Sequence, residues 1–196
     1  MNPKAIIIIG PPAVGKYTIG KMLSEKNNYR FLHEHQISDI ASSLFNESSI
    51  ERTTYYFKLR LDIFSDFIKH NTTNQSIVTT FVLLFDQAYY KNFIATFLTL
   101  FQKNNYDVYV IELAASYEER IKRNTNEDRL KAKPSKQDIE RSTKRLNDME
   151  EKSRTNSIQS DTLFSNYHHI IINTESLSQQ EVVDKIIITS SPHHIF

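Results

Sequence analysis

The sequence contains no cysteine, which excludes disulfides and thiolate zinc sites. It has no dominant charge sign: 24 Lys and Arg stand against 23 Asp and Glu, a formal net charge of +1. A general nucleic-acid binder would need a global positive field, and none is available. No apolar run approaches the roughly 20 residues that span a bilayer, and the first residues lead straight into a strand pattern. These absences predict a soluble, cytoplasmic chain with neither nucleic acid nor membrane as partner. Internal repeats and low-complexity linkers are lacking as well. At 196 residues, 1–196 is expected to form one domain with a single well-buried core.

What the sequence has is Gly10-Pro11-Pro12-Ala13-Val14-Gly15-Lys16-Tyr17-Thr18, set between an apolar run and a segment of helical periodicity. The run Ala5-Ile6-Ile7-Ile8-Ile9 is β-branched without alternation, as in a strand buried on both faces of a parallel sheet. Gly-x-x-x-x-Gly-Lys in that context is the phosphate-binding loop, or P-loop. Gly10 and Gly15 let the backbone curl so that successive N–H groups converge on one anion. The helix from Lys16 adds its positive end, and the ammonium reaches the β- and γ-phosphates. The pattern expects Ser or Thr after the lysine, as a ligand for Mg2+, and this chain has Tyr17 followed by Thr18. A tyrosine hydroxyl stands too far from its backbone to replace that ligand. Nucleotide oxygens, water and a more distant carboxylate are expected to hold the metal.

Gly-Lys-x-Thr resembles the loop of adenylate kinase, and the likeness implies a nucleotide or small-molecule kinase rather than a GTPase or motor ATPase. Further along, Ser116-Tyr117-Glu118-Glu119-Arg120-x-x-Arg123, a basic stretch and a last strand and helix follow in the order of shikimate and adenylate kinases. Gly10 to Thr18, Asn124-Thr125-Asn126-Glu127-Asp128-Arg129-Leu130 and Lys133-Pro134-Ser135-Lys136 are similar to a largely uncharacterised shikimate-kinase-like branch. The resemblance implies an α/β three-layer P-loop fold: a parallel five-stranded sheet in the order 2-3-1-4-5, helices on both faces, right-handed crossovers and a basic lid over about 120–150. It also implies ATP and Mg2+ as cofactors and a small-molecule phosphate acceptor. The departures matter. The paired aspartates and glycine-rich turn of shikimate kinase are absent, as is the Asp-Gly-x-Pro-Arg turn of adenylate kinase, so shikimate itself is not expected.

Strands are expected at 4–9, 29–32, 76–81, 107–113 and 168–172. The second ends in His33-Glu34-His35, outside the carboxyl end of a parallel strand, where related kinases place acceptor-recognising groups. Glu34 is a candidate to accept a hydroxyl proton, with His33 or His35 orienting it or acting in its place. Solvated loop residues, or metal ligands, are the other readings. Asp39 is expected at the start of the next helix. The helix over 49–70 has a seam of Ile50, Thr54, Phe57, Leu61, Phe64 and Ile68, with Arg52 and Arg60 projecting elsewhere. In such kinases this region closes over the acceptor, which makes Arg60 a candidate for an anionic substrate group. Its neighbour helix, 87–103, is a packing stripe.

The third strand ends without the aspartate that often positions Mg2+, leaving Asp86 as a candidate through water. From Arg120 to Arg145 there are ten Lys and Arg against four Asp and Glu. So basic a segment cannot bury itself, and is expected to be mobile or ordered by a ligand, as a lid that neutralises phosphate charge; a solvated basic face or a nucleic-acid patch has the same composition. By position, the resemblance implies that Arg123 stacks on adenine and that Arg129 approaches the transferring phosphoryl group. It also implies that Arg145 closes from a second, partly docked lid helix, and that Asn173 and Thr174 lie at the adenine edge. The reaction expected is ATP-dependent phosphoryl transfer to a hydroxyl. A nucleoside monophosphate kinase and a nucleotide-binding regulatory module with little turnover are the alternatives.

Overall fold

The computed structural model describes residues 2–46, 49–125 and 139–190. Five strands, β1 (Lys4–Ile9), β2 (Arg30–Leu32), β3 (Ile77–Phe81), β4 (Asp107–Ala114) and β5 (His168–Asn173), form one sheet. Its order is β2-β3-β1-β4-β5, and every pairing is parallel. This is the expected order. Seven helices are described: α1 (Lys16–Asn27), α2 (Glu34–Leu44), α3 (Ile50–His70), α4 (Ala88–Lys103), α5 (Tyr117–Asn124), α6 (Ile139–Lys152) and α7 (Gln179–Thr189).

The isoleucine run explains the layers. Successive strand side chains point to opposite faces, so Ile7 and Ile9 enter a core with α2, α3 and α4, while Ile6 and Ile8 enter one with α1 and α7. All four are 0% exposed. α4 lays Phe93, Ile94, Phe97, Leu98 and Phe101 on the sheet as its periodicity predicts. Ser116 caps α5 by accepting the Glu119 N–H, and Ser178 and Glu181 close a full capping box on α7.

Three expectations are corrected. α2 begins at Glu34, so Glu34 and His35 sit in a first helical turn and Asp39 lies in mid-helix. The buried seam of α3 is Tyr56, Phe57, Arg60 and Phe64, while Ile50 is exposed. The expectation that the basic segment cannot bury itself is corrected at its two described ends, which are docked; residues 126–138, the middle of the expected lid, lie outside the described residues. Arg120 is 3% exposed and paired with Glu150, and Asn124 donates to Ser142 and Thr143. Leu146 adds a buried apolar contact, so α6 packs on α5 largely through polar bonds that a search for apolar stripes overlooks.

Candidate active site

The phosphate loop leaves the carboxyl end of β1 pressed against β4. A Cβ on Gly10 would collide with the Leu113 carbonyl oxygen, and its φ of 136° is in the glycine region. Ala13 (φ 65°) and Gly15 (φ 102°) continue the curl, and nothing lies within 4 Å of where a Gly15 Cβ would stand. Gly15 is the N-cap of α1. It offers no side chain to the first turn, which also contains no acidic residue. The positive end of α1 is thus offset by no carboxylate of its own turn, an arrangement that favours an anion there. Lys16 is buried, with its Nζ donating to the Gly10 and Pro11 carbonyls at 2.6 and 2.8 Å. Pro11 and Val14 are buried in the loop, whereas Pro12, Tyr17 and Thr18 are half-buried.

Tyr17 turns towards the end of β2 and the start of α2. Its ring meets that of His33 edge-on, centroids 4.9 Å apart at 90°, and lies 5.8 Å from Phe31. His33 is the N-cap of α2 and lies 6.0 Å from the His35 ring. The Glu34 backbone N–H donates to Thr80 Oγ1 at 3.0 Å, so the end of β3 holds the start of α2. Tyr56 and Tyr90 feel the Glu34 charge. Burial chiefly, with Glu34 adding, pushes Tyr90 up to about 12, partly offset by Arg52. Tyr56 rises for the same chief reason, against the lowering effect of Arg60. The loop, His33, Glu34 and His35 thus lie on connected elements.

Arg60 does not join them. It is 0% exposed, with its guanidinium donating to Tyr56 Oη, Thr79 Oγ1 and the Thr80 carbonyl. The rings of Phe64, Phe81 and Phe97 lie 5.0 to 5.4 Å from it. The expectation that Arg60 projects from the seam is corrected: hydroxyls, a carbonyl and three ring faces let a cation sit within the core. Asp86 is exposed, near Arg154, five residues beyond the end of β3.

On the other side of the loop, Arg123 and Thr174 come together. Arg123 donates to Thr174 Oγ1 at 2.8 Å and to its carbonyl at 3.0 Å, and its Nε pairs with Glu119. Thr174 is buried and tied to Ala114, so it orients Arg123 rather than facing outwards. Asn173 is exposed, with its Oδ1 accepting the Glu175 N–H. Arg145 is half-buried on α6. Arg129 lies outside the described residues.

Glu112 was not among the residues expected to matter. Next to Leu113 and paired in register with Ile9, it is 0% exposed. Its carboxylate accepts from Asn156 Nδ2 (2.8 Å), Ser157 N (2.8 Å) and Ser157 Oγ (2.7 Å), with His169 Nε2 at 3.0 Å. It fastens the chain after α6 beneath the phosphate loop. The sequence signal was an acid, Glu112, set between the apolar Ile111 and Leu113 in the interior of β4.

No family model matches the sequence, and no curated protein matches it. Solved structures do resemble it. A presumed kinase from Chloroflexus aurantiacus superposes with a TM-score of 0.64 at 14% identity, over 97% of this chain and 100% of that one. The Deinococcus radiodurans tunicamycin resistance protein gives 0.58 at 15%, over 95% of both chains. Shikimate kinase from Acinetobacter baumannii, in complex with shikimate, gives 0.54 at 17%, over 94% and 91%. What the chain shares with them is the three-layer α/β fold of the P-loop kinases, of the shikimate-kinase-like kind.

Proposed function

We propose that the chain is an ATP-dependent phosphotransferase that acts on a hydroxyl of a small molecule. The observation that carries the reading is the loop from Gly10 to Lys16. Positive-φ residues, a helix start with neither side-chain cap nor acids, and a buried lysine together support a polyphosphate site there. Among the described residues no group of three His, Asp or Glu could hold a metal ion. Mg2+ enters this account as part of the substrate Mg·ATP, where it offsets phosphate charge, with Asp86 the candidate to reach it through water.

In the proposed reaction the acceptor oxygen bonds to the γ-phosphorus while the bond from that phosphorus to the β–γ bridging oxygen breaks, releasing ADP. The acceptor proton passes to Glu34 or His35. Lys16 leaves the Gly10 and Pro11 carbonyls and stabilises charge on the bridging oxygen. Arg145 and Arg129 close over the phosphoryl group, while Arg123 and Asn173 flank the base, with Thr174 orienting Arg123. Most of the rate gain in this design comes from positioning and charge stabilisation. With Arg60 buried, Arg52, which shares the Tyr90 neighbourhood with Glu34 and donates its Nε–H to Ser42 Oγ, takes its place in this reading as the candidate for an anionic group on the acceptor.

Solved neighbours include a gluconokinase and a sugar kinase besides the shikimate kinase, so hydroxylated metabolites are the first acceptors to test. ADP formation from Mg·ATP is measured with panels of polyols and sugars, hydroxylated antibiotics, and nucleoside monophosphates. Stimulation by a hydroxyl compound supports the reading. Stimulation by nucleoside monophosphates alone replaces it with a nucleotide kinase, and ATP binding without turnover on any panel favours a regulatory module.

A further inference from the structure

Tyr17 occupies the position after the loop lysine, yet its ring packs onto the acceptor side. It meets His33 edge-on at 4.9 Å, and Phe31 closes the group at 5.8 Å from both rings. Phe31 is itself wedged against α1. A Cβ on Gly20 would come within 2.7 Å of the Phe31 ring, so only glycine admits this approach. His33 immediately precedes Glu34 and continues the ring series to His35 at 6.0 Å. From the other direction, Thr80 holds the Glu34 N–H. Rings on α1, on β2 and at the head of α2 therefore connect the phosphate loop to the candidate base.

We infer that Tyr17 is a positioning residue: its ring, rather than its hydroxyl, sets the distance between the phosphate loop and the His33–Glu34–His35 turn. This rests on the phosphotransfer reading above. In-line transfer needs donor and acceptor oxygens held within a few tenths of an ångström of the productive geometry. A serine or threonine at this position would be short and polar, and could not reach His33. The trade is a metal ligand for an aromatic brace. The brace uses edge-to-face contact, which fixes orientation as well as separation.

Three variants and two readouts test the inference. Tyr17→Leu fills much of the ring's volume but has no ring edge. Tyr17→Phe keeps the ring and loses the hydroxyl. His33→Leu removes the other half of the contact. With Mg·ATP as the only added substrate and water as acceptor, Tyr17→Leu and His33→Leu are expected to lower kcat for ADP formation about tenfold, leaving KM for Mg·ATP within about twofold. Tyr17→Phe is expected to rescue kcat to within about twofold of the parent. The second readout does not depend on turnover: in the parent and Tyr17→Phe the His33 imidazole carbon-bound proton resonances carry the tyrosine or phenylalanine ring current, and in Tyr17→Leu they move. Unmoved His33 resonances in Tyr17→Leu overturn the inference, as does Tyr17→Phe losing as much kcat as Tyr17→Leu. A parent that forms no ADP with water alone leaves the phosphotransfer reading to the acceptor panels above, and the His33 resonances then decide the ring coupling.

Discussion

Thr80 Oγ1, one residue from the end of β3, accepts the backbone N–H of Glu34 at 3.0 Å. A strand end thereby fixes the first residue of a helix, and with it the candidate base. Thr80→Val keeps the shape and removes the acceptor. It should cost about 1 kcal/mol of stability, the usual worth of one hydrogen bond. With any acceptor that stimulates turnover, kcat should fall several-fold while KM for Mg·ATP holds. A rise in KM for ATP with kcat unchanged would place the effect in the phosphate loop instead.

Arg60 is a core residue in this account. Arg60→Ala leaves a cavity and strips partners from Tyr56, Thr79 and Thr80, for a loss of about 3 kcal/mol. Arg60→Met fills the space without the buried charge and should cost less than half as much. Urea unfolding separates the two. If folded Arg60→Met raised the acceptor KM tenfold, Arg60 would be reaching the substrate after all.

Burial alone would push the Glu112 carboxyl up, but hydrogen bonds from His169, Asn156 and Ser157 outweigh it and hold the group below its ordinary 4.5. A carboxyl lower in the folded than in the unfolded chain binds fewer protons when folded. Its stabilisation is complete above the ordinary range and drains away as pH falls through the folded value. Urea midpoints of the parent should therefore fall more steeply below about pH 5 than those of Glu112→Gln, which starts lower at neutral pH. Parallel acid limbs would show that Glu112 does not carry this dependence.

Arg123 and Thr174 separate contact from orientation. Arg123→Ala should raise KM for ATP about fivefold with kcat little changed, the mark of a ground-state contact. Thr174→Val removes one of the groups orienting Arg123 and should shift KM in the same direction by less. Equal falls in kcat and kcat/KM would move Arg123 into the transition state.

The fold was legible because its signals are local. Ile6 to Ile9 announce a central strand, the α4 stripe announces a helix on the sheet, and the Ser178–Glu181 pair marks the start of the last helix. The turn from Gly10 to Gly15 between β1 and α1 was legible for the same reason. The misses each needed tertiary information. His33 is not among the residues that commonly cap a helix, so the start of α2 at Glu34 was hidden. Helical periodicity assigns charge to the outside, and nothing local to Arg60 reveals that Thr79, Thr80 and three phenylalanines await it. Glu112 depends on Asn156, Ser157 and His169, more than forty residues away in sequence. The Tyr17–His33 contact joins two motifs that sequence treats as separate.

The central claim is that Gly10 to Lys16 binds the phosphates of ATP. Calorimetric titration of Mg·ATP into the parent and into Lys16→Ala tests it most directly, with circular dichroism to show that both are folded. The account predicts binding to the parent and a Kd for Lys16→Ala weaker by about tenfold or more, about 1.4 kcal/mol at the least. An unchanged Kd in a folded Lys16→Ala protein would contradict it.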